Sequence, residues 1–420
     1  MMKKLYAVLA VLMVVSMLAA CAPAAAPAAA PTAAPAAAEP TKAPEAAPVE
    51  PTKAPEAAPA APALPDTIKI GIVDSLTGGH SAYGLASVDG YKLAQKYRPE
   101  VLGKPVEFII VDTKSDKAEA ALATSRAIAD GAVGLLGTAS SGFTIAMNEV
   151  AAEKGIPSVT NYSTNPLVTQ GKPTAARACF IDPYQGWALA KFAIEDLGAK
   201  TAVLLVDIST DYPVGVANYF RQSWNQMTGD SKTLLGYYSI MLGDRDFTAQ
   251  LTAIKELNPD VVVVPDDYAE VGLILAQARE LGMNMPFLGG DAVDLPEIEE
   301  IAGDAIKNNF YMTTHWHPEA FKNDVSANFG KYYEEMYSRK PDSTAAVSWD
   351  AYNILLDAIE AAGSVEPAAI VKTLRATKGY VGVTGEISLD ANGDAIKPVV
   401  VLGYKDGVKQ LIKVIQPDEK

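Results

Sequence analysis

Short apolar segments alternate with amphipathic segments along most of this chain, and this alternation limits the folds that it can adopt. Apolar runs such as IKIGIV at 68–73, VEFIIV at 106–111, TAVLLV at 201–206 and DVVVV at 260–264 predict buried strands. Amphipathic helices between such strands cover both faces of a parallel sheet. The series restarts near residue 184, so the sequence predicts an α/β fold with two doubly wound, Rossmann-like lobes.

The predicted elements fall into these two series and a C-terminal remainder. The first series has strands at 68–73, 106–111, 132–137 and 156–160, and helices at 87–97, 116–130 and 143–154. The second has strands at 201–206, 233–240, 260–264 and 286–288, and helices at 184–197, 213–227, 247–257 and 268–281. The remainder has helices at 318–337, 343–362 and 366–377, and then a hairpin-like end, EISLDANGD followed by PVVVLGY, with its turn at Asn392-Gly393.

The first 65 residues have the composition of a secretion signal and a tether. Two lysines precede an apolar run from Leu5 to Val15, which predicts a signal peptide over 1–20. The run ends in Leu-Ala-Ala-Cys, which resembles the bacterial lipobox and implies a lipid on Cys21 that anchors the protein to a membrane. An ordinary signal cleavage beside an incidental cysteine is the alternative. Residues 21–65 are almost wholly Ala and Pro, so we expect a semi-rigid linker outside the cell membrane.

Charge and cysteine content exclude several classes of function. The formal net charge of −15 argues against binding nucleic acid and against docking on anionic lipid by charge. The chain has two cysteines, and lipid on Cys21 leaves Cys179 alone, so no disulfide is expected within the mature chain. We expect Cys179 to be buried in its apolar surroundings.

Polar residues follow the predicted strands, where open α/β sheets bind their ligands. In the first lobe these residues are neutral. They are Tyr83, Ser140, Ser141, Ser163 and Thr164, with Tyr162 in the same loop as the last two. In the second lobe they include acids. They are Tyr212, Asp267 and Asp291. Neutral donors on one side and carboxylates on the other suit a zwitterion. The donors would bind its carboxylate, and the acids would bind its ammonium group.

Two of these residues have a purely structural alternative. Ser141 stands where the cap of helix 143–154 is expected, and Asp267 directly precedes helix 268–281. A serine or aspartate at such a position commonly caps its own helix.

The body resembles the branched-chain amino-acid (Leu/Ile/Val) binding proteins of ABC transporters, which have the type I periplasmic-binding fold. The matching segments run in order over about 350 residues. They include IKIGIVDSLTGGHSAYG, VDTKSD, GTASSGFT, GIPSVTNYSTNP, DYPVG, ILAQARELG, FLGGDAV and TGEISLDANGD. The resemblance implies two lobes joined by a three-strand hinge. The implied lobes are 66–183 with 314–395, and 184–313 with 396–420.

The resemblance also implies roles for individual residues. Ser141 falls on the serine that binds the ligand α-carboxylate, and Thr164 falls on the threonine that binds both carboxylate and ammonium. Tyr162 falls on a residue whose backbone carbonyl accepts a hydrogen bond from the ligand ammonium group, and Asp291 falls on the acid that pairs with that ammonium group. Tyr83 and Tyr212 match tyrosines that flank the ligand from opposite lobes. The resemblance implies a monomer that closes around its solute and, in this closed form, delivers the solute to permease transmembrane subunits.

This chain departs from the familiar leucine binders in its side-chain pocket. Asp267 stands where those proteins have a tyrosine, and the aromatic residue of their pocket falls near Val347, close to Trp349. A second acid in the cleft argues against a purely aliphatic ligand and admits a hydroxylated, amide-bearing or basic one.

Two other classes of function compete with this interpretation. An enzyme lacks support, because the chain has three histidines and no GxSxG, GKS/GKT, HExxH or GxGxxG pattern. His315 and His317 alternate, but nothing accompanies them as further metal ligands, so we expect neither a metal nor a cofactor. A ligand-sensing receptor that signals to a partner has the same fold, and the sequence does not separate it from a transport protein.

Overall fold

The computed structural model describes residues 64–419, so the predicted signal peptide, Cys21 and nearly all of the linker lie outside the described residues. The first sheet has six strands in the order β2-β3-β1-β4-β5-β6. Its strands are β1 (Ile68–Asp74), β2 (Glu100–Val101), β3 (Lys104–Asp112), β4 (Gly134–Gly137), β5 (Ser158–Thr160) and β6 (Ala175–Arg177). All neighbours are parallel except the short β2, which pairs antiparallel with β3. Every residue of β4 and β5 is buried, as expected for strands covered on both faces.

The second sheet has seven strands in the order β16-β15-β11-β10-β9-β7-β8. Its strands are β7 (Ala202–Asp207), β8 (Leu234–Ile240), β9 (Val261–Val264), β10 (Phe287–Gly289), β11 (Phe310–Thr314), β15 (Val399–Lys405) and β16 (Val408–Ile415). Strands β7 to β11 are parallel, and β15 and β16 are antiparallel additions at the edge beside β11. The two sheets confirm the predicted α/β fold with two lobes.

Helices connect the strands of each sheet and continue after β11. They are α1 (Ser81–Tyr97), α2 (Lys117–Ala129), α3 (Ser141–Lys154), α4 (Asp182–Lys191), α5 (Asp211–Thr228), α6 (Thr248–Leu257), α7 (Tyr268–Glu280), α8 (Glu297–Ala302), α9 (Asp324–Tyr337), α10 (Ser343–Ala362) and α11 (Pro367–Arg375). Asp116 caps α2 as predicted, because its side chain accepts a hydrogen bond from the Glu119 backbone N–H. Within residues 64–419, no helix has the length and apolar content needed to cross a bilayer.

The C-terminal region differs from its prediction. A small third sheet contains β12 (Tyr380–Gly382), β13 (Gly385–Leu389) and β14 (Ala395–Ile396), and its β13–β14 turn includes Gly393 at φ +83°. The predicted turn is therefore correct. PVVVLGY is not the returning strand of this hairpin, because it forms β15 and pairs with β11 and β16 in the second sheet. The sequence analysis did not predict β6, β11 or β16.

The lobe boundaries at 183/184, 313/314 and 395/396 stay predictions. The first falls in α4, the second falls near the end of β11, and the third falls in β14. These places are the connections by which the chain passes between the two sheets. Cys179, just after β6, is fully buried as expected, and burial raises the pKa of its thiol to about 12.

Candidate functional site

A cavity with about 300 Å³ of empty volume, open solvent at its mouth included, lies where strands of both sheets end. Its lining includes seven of the nine residues that the sequence analysis placed in a ligand site. The lining residues are His80, Tyr83, Ala139, Ser140, Ser141, Tyr162, Tyr212, Asp267, Asp291 and Ala292. This position agrees with the rule that open α/β sheets bind ligands outside the carboxyl ends of their strands.

Asp291 lies two residues after the end of β10, and its buried carboxylate is held by three side chains. Oδ1 accepts hydrogen bonds from the Tyr212 hydroxyl at 2.7 Å and from Gln185 Nε2 at 2.6 Å. Oδ2 lies 2.9 Å from Nε2 of His315. The Asp291 side chain is 1% exposed, and among residues 64–419 no lysine or arginine pairs with it. The protein therefore holds this carboxylate in place without a permanent positive charge.

His315 acts here as a neutral hydrogen-bond donor. Burial lowers the pKa of its imidazole to about 4, although the hydrogen bond and the charge of Asp291 act in the opposite direction. The ring stacks on Phe180, with centroids 3.8 Å apart, and meets the Tyr162 ring at an angle of 63°. A neutral ring that donates from Nε2 adds no positive charge beside Asp291. His315 is thus a supporting residue of the Asp291 site.

The opposite part of the cavity contains the N-terminus of α3. Ser140 is the N-cap residue and makes no side-chain cap bond, while Ser141 is the first helical residue. The Ser141 hydroxyl instead accepts a hydrogen bond from the Asn165 backbone N–H at 3.3 Å. The prediction that Ser141 occupies the cap position is therefore wrong by one residue, and neither serine caps the helix. Both hydroxyls line a cavity toward which a helix N-terminus contributes partial positive charge.

Three tyrosines surround the cavity, and two of them, Tyr83 and Tyr162, connect the two lobes. The Tyr83 hydroxyl donates to the Ala292 carbonyl at 2.6 Å, and the Tyr162 hydroxyl donates to the Asp291 carbonyl at 2.9 Å. A Cβ on Gly290 would lie 1.9 Å from Tyr212 Oη, so the absence of a side chain at Gly290 lets Tyr212 reach Asp291. Burial raises the pKa of all three phenols well above the ordinary tyrosine value, so they stay protonated donors.

Asp267 pairs with a residue of the other lobe. Its Oδ2 lies 3.0 Å from Nε2 of His80, and its Oδ1 lies 3.2 Å from the Tyr83 hydroxyl. Asp267 occupies the N-cap position of α7, but its side chain makes no cap bond, so the capping alternative for this residue is wrong. Burial acts to lower the pKa of His80, but the Asp267 carboxylate, with Glu270 and Asp207, raises it above the ordinary histidine value.

Ser163 and Thr164 are the two predicted residues that the structure does not bring to the cavity lining. The Ser163 hydroxyl contacts Thr144 Oγ1 at 2.6 Å and donates to the Thr138 carbonyl at 2.8 Å, so it is used inside the first lobe. The Thr164 hydroxyl is buried beside the Asp182 carboxyl without hydrogen-bond geometry to any group among the described residues. This geometry gives no support to Ser163 as a ligand residue.

A buried arginine fixes the loop that carries these two residues. Arg177 donates to the Ser163 carbonyl at 2.8 Å and to the Asn165 carbonyl at 2.9 Å, and its Nε lies 2.7 Å from Asp394 Oδ1. The arginine is fully buried, and the Asp394 side chain is 10% exposed. Because buried charges need partners, this pair ties the 163–165 loop to the β13–β14 hairpin.

Contacts between the lobes close the cavity. In addition to His80–Asp267, the Lys117 Nζ lies 2.6 Å from Asp211 Oδ2, and Asn165 Nδ2 donates to the Asp211 carbonyl at 3.0 Å. The structure therefore corresponds to a closed form.

The sequence analysis missed three residues of the site, which are His80, Gln185 and His315. His80 lies in the loop after β1, so reading every strand end for ring nitrogens would have found it. His315 directly follows β11, which was not predicted as a strand. Gln185 lies in the first turn of α4 and has no strand-end signal. Within residues 64–419 no group of three metal-ligating side chains occurs, and His315 pairs with Asp291 rather than with His317.

Comparisons with known proteins agree with this architecture. The sequence pattern of a family described as periplasmic binding protein matches residues 67–409. A Leu/Ile/Val-binding protein homolog 1 from Brucella abortus (strain 2308) is 29% identical over 343 residues, which cover 80% of this chain and 90% of that protein.

Two solved structures are similar over nearly their full length. The leucine binding protein LivK from Thermotoga maritima is 41% identical, with a TM-score of 0.80, and the match covers 84% of this chain and 100% of that one. The branched-chain amino acid transporter substrate binding protein LivJ from Streptococcus pneumoniae, in complex with isoleucine, is 30% identical. Its TM-score is 0.76, and the match covers 83% of this chain and 99% of LivJ.

Proposed function

The chain belongs to the periplasmic binding protein family, and from that premise we propose that it is the extracytoplasmic receptor of an ABC importer and captures an α-amino acid between its two lobes. The relatives are named as binding proteins, and LivJ as a transporter component, so the family supports binding rather than catalysis.

The observation that carries the proposal is the environment of Asp291. A carboxylate that is 1% exposed normally has a cationic partner, because an unpaired buried charge is costly. Here its contacts are a phenol, an amide and a neutral imidazole. The cavity that Asp291 lines is the place from which a cation can reach it. An α-ammonium group supplies that cation and three hydrogen-bond donors.

The N-terminus of α3 supplies the complementary end. Its cap residue makes no side-chain cap bond, and Ser140 and Ser141 present hydroxyls to the same cavity. Neutral donors and a helix N-terminus bind a carboxylate by charge-assisted hydrogen bonds. Each lobe then holds one end of the zwitterion, so a ligand makes its full set of contacts only when the lobes close. That differential contact is what shifts an open–closed equilibrium toward the closed form.

Membrane attachment and delivery complete the proposal. Lipid on Cys21, after cleavage of residues 1–20, would tether the body through the Ala/Pro-rich linker, and the closed form would present the solute to permease transmembrane subunits. Cys21 lies outside the described residues, so the lipid anchor is supported by the sequence pattern alone, and delivery to a permease is supported by the family. We propose a monomer, because one chain supplies both sides of the cavity.

Titration calorimetry with purified protein tests the binding proposal. The solutes are L-leucine, L-isoleucine, L-valine, L-threonine and L-asparagine, together with benzoate as a carboxylate without an ammonium group. We expect at least one of the amino acids to bind in the micromolar range or tighter and to be recovered chemically unchanged. Tight binding of benzoate with no binding of any amino acid would contradict the proposal, and conversion of the bound amino acid would reject the binding-only role.

A further inference from the structure

The two carboxylates that line the cavity differ in how many donors the protein supplies. Asp291 has three donors on its two oxygens. Asp267 has one close donor, His80 Nε2, which lies 3.0 Å from Oδ2. The Asp267 side chain is 17% exposed, against 1% for Asp291. Asp267 is therefore the acid with acceptor capacity left over.

The second oxygen of Asp267 has no donor committed to it. Among the described residues, the hydroxyl within hydrogen-bond distance of it is that of Tyr83, at 3.2 Å, but this phenol has one proton and lies 2.6 Å from the Ala292 carbonyl. The shorter contact takes the proton, since a hydroxyl donates one hydrogen bond. Asp267 also makes no cap bond to α7, which leaves Oδ1 with lone pairs beside the cavity.

Asp267 and His80 also line a neighbouring cavity of about 460 Å³ empty volume near the Lys117–Asp211 contact. The pair therefore stands between the cavity that contains Asp291 and this neighbouring cavity. A solute whose α-ammonium group lies at Asp291 and whose carboxylate lies at Ser141 directs its side chain toward another part of the wall. The three tyrosine hydroxyls of the lining already donate to protein acceptors, so the His80–Asp267 pair is the polar part of the wall that can receive a donor from the solute.

We propose that Asp267 Oδ1 accepts a hydrogen bond from the side chain of the solute, so that this site selects an amino acid with a short, uncharged, donor-bearing side chain. The donor is a hydroxyl or a carboxamide. This inference rests on the proposed function and specifies the solute that it takes.

The alternatives fit the wall less well. An aliphatic side chain of the same size would displace water from Oδ1 and leave a desolvated acceptor unpaired, which is costly. A cationic side chain would meet His80, whose ring already forms an ion pair with Asp267 when protonated. The cavity, with about 300 Å³ of empty volume including open solvent at its mouth, has room for a short side chain beside the α-amino and carboxylate groups.

Isosteric solute pairs test the inference by calorimetry. L-threonine and L-valine differ by a hydroxyl in place of a methyl group, and L-asparagine and L-leucine have nearly the same shape. A site that hydrogen-bonds a polar group discriminates strongly against the isostere that lacks it, whereas an apolar pocket discriminates weakly. We expect the polar member of at least one pair to bind at least about tenfold more tightly.

Two variants locate the source of that preference. Asp267→Ala removes the acceptor, and we expect it to reduce the polar-to-apolar affinity ratio to about threefold or less. Asp211→Ala is the matched control, because it also removes one carboxylate and one contact between the lobes, with Lys117. We expect this control to weaken both members of a pair alike and to preserve their ratio.

The outcomes separate this inference from the proposed function. If valine and leucine bind as tightly as threonine and asparagine, or if L-lysine binds most tightly of all, the inference is wrong and the amino-acid receptor stands. If no amino acid binds, the proposed function itself has failed. A polar preference that persists in Asp267→Ala assigns the selectivity to another residue and overturns the inference. If Asp267→Ala does not fold, the wild-type ratios alone decide.

Discussion

Replacing Asp291 with asparagine removes one negative charge and almost nothing else. In the variant, the side-chain oxygen can still accept from Tyr212 and Gln185, which contact Oδ1 in the wild type. The new amide can donate to His315 Nε2 if the imidazole proton moves to Nδ1, which has no partner among the described residues. The three supporting contacts thus survive, and we expect the Asp291→Asn protein to fold.

The magnitude of the effect follows from the lost ion pair. A hydrogen bond to a charged group contributes about 1.5–3 kcal/mol, and each 1.4 kcal/mol is about a factor of ten in affinity. Asp291→Asn should therefore weaken binding of an α-amino acid by roughly 10- to 150-fold. The contacts proposed for the solute's carboxylate at Ser140 and Ser141 should be unaffected by the substitution.

Calorimetry with and without the ammonium group isolates this contribution. L-valine and L-threonine are compared with 3-methylbutanoate and (R)-3-hydroxybutanoate, which lack the amino group and keep the rest. Asp291→Asn should weaken the amino acids by the stated factor and leave the deaminated acids unchanged or bound slightly better. An equal loss for both kinds of solute, or no loss for the amino acids, would refute the assignment of Asp291 to the ammonium group.

Three further predictions concern the groups around the site. Arg177→Met should lower the free energy of unfolding by about 3–5 kcal/mol, because it leaves Asp394 buried without its cation. The control Arg98→Met breaks exposed pairs with Asp357 and Glu360 and should lower the free energy of unfolding by about 1 kcal/mol or less. Equal losses of the two variants in urea denaturation would show that the buried Arg177–Asp394 pair contributes no more to stability than the exposed Arg98 pairs do. Burial raises the pKa of Asp182 to about 8; the nearby Thr164 hydroxyl acts to lower this pKa, and the charge of Asp291 acts to raise it. The folded protein therefore binds the Asp182 proton more tightly than the unfolded chain does. The contribution of Asp182 to the free energy of unfolding should therefore be fully present below about pH 4 and be lost, by on the order of 5 kcal/mol, as the pH rises through about 8. Asp182→Asn should remove this slope in denaturation at about pH 5, 7 and 9, and parallel profiles for the two proteins would contradict the prediction. The raised pKa of His80 in the closed form means that closure takes up a proton, so affinity should fall as the pH rises above the ordinary histidine pKa of about 6.5. Calorimetry on His80→Gln should show no such fall, and a fall of the same size in the variant would assign it to another group.

The sequence was sufficient to predict the fold and much of the cavity, because both depend on local patterns. Asp267, Asp291 and Ser141 were predicted, and lie in the cavity lining, because each stands within four residues after a predicted strand, and parallel strands bring their carboxyl ends to one edge. His315 obeys the same rule but was missed because FYMTT of β11 is too short and too mixed in polarity to be recognised as a strand.

Side-chain direction is what local pattern does not determine. Ser163 lies in the predicted loop, yet its hydroxyl contacts Thr144 and Thr138 inside the first lobe. The buried Arg177 holds the backbone of this loop by donating to the Ser163 carbonyl. Asp267 and Asp291 look alike in sequence, and only their contacts separate a carboxylate with three protein donors from one with spare acceptor capacity. Those contacts come from residues that are distant in sequence, such as Gln185 and His80.

A crystal structure of the complex with whichever amino acid binds most tightly tests the account most directly. The ammonium nitrogen should lie within about 3 Å of an Asp291 carboxylate oxygen, and the carboxylate should accept hydrogen bonds at Ser141 and the N-terminus of α3. A solute bound in the reverse orientation, or one whose ammonium nitrogen contacts neither oxygen of Asp291, would contradict the division of the zwitterion between the two lobes.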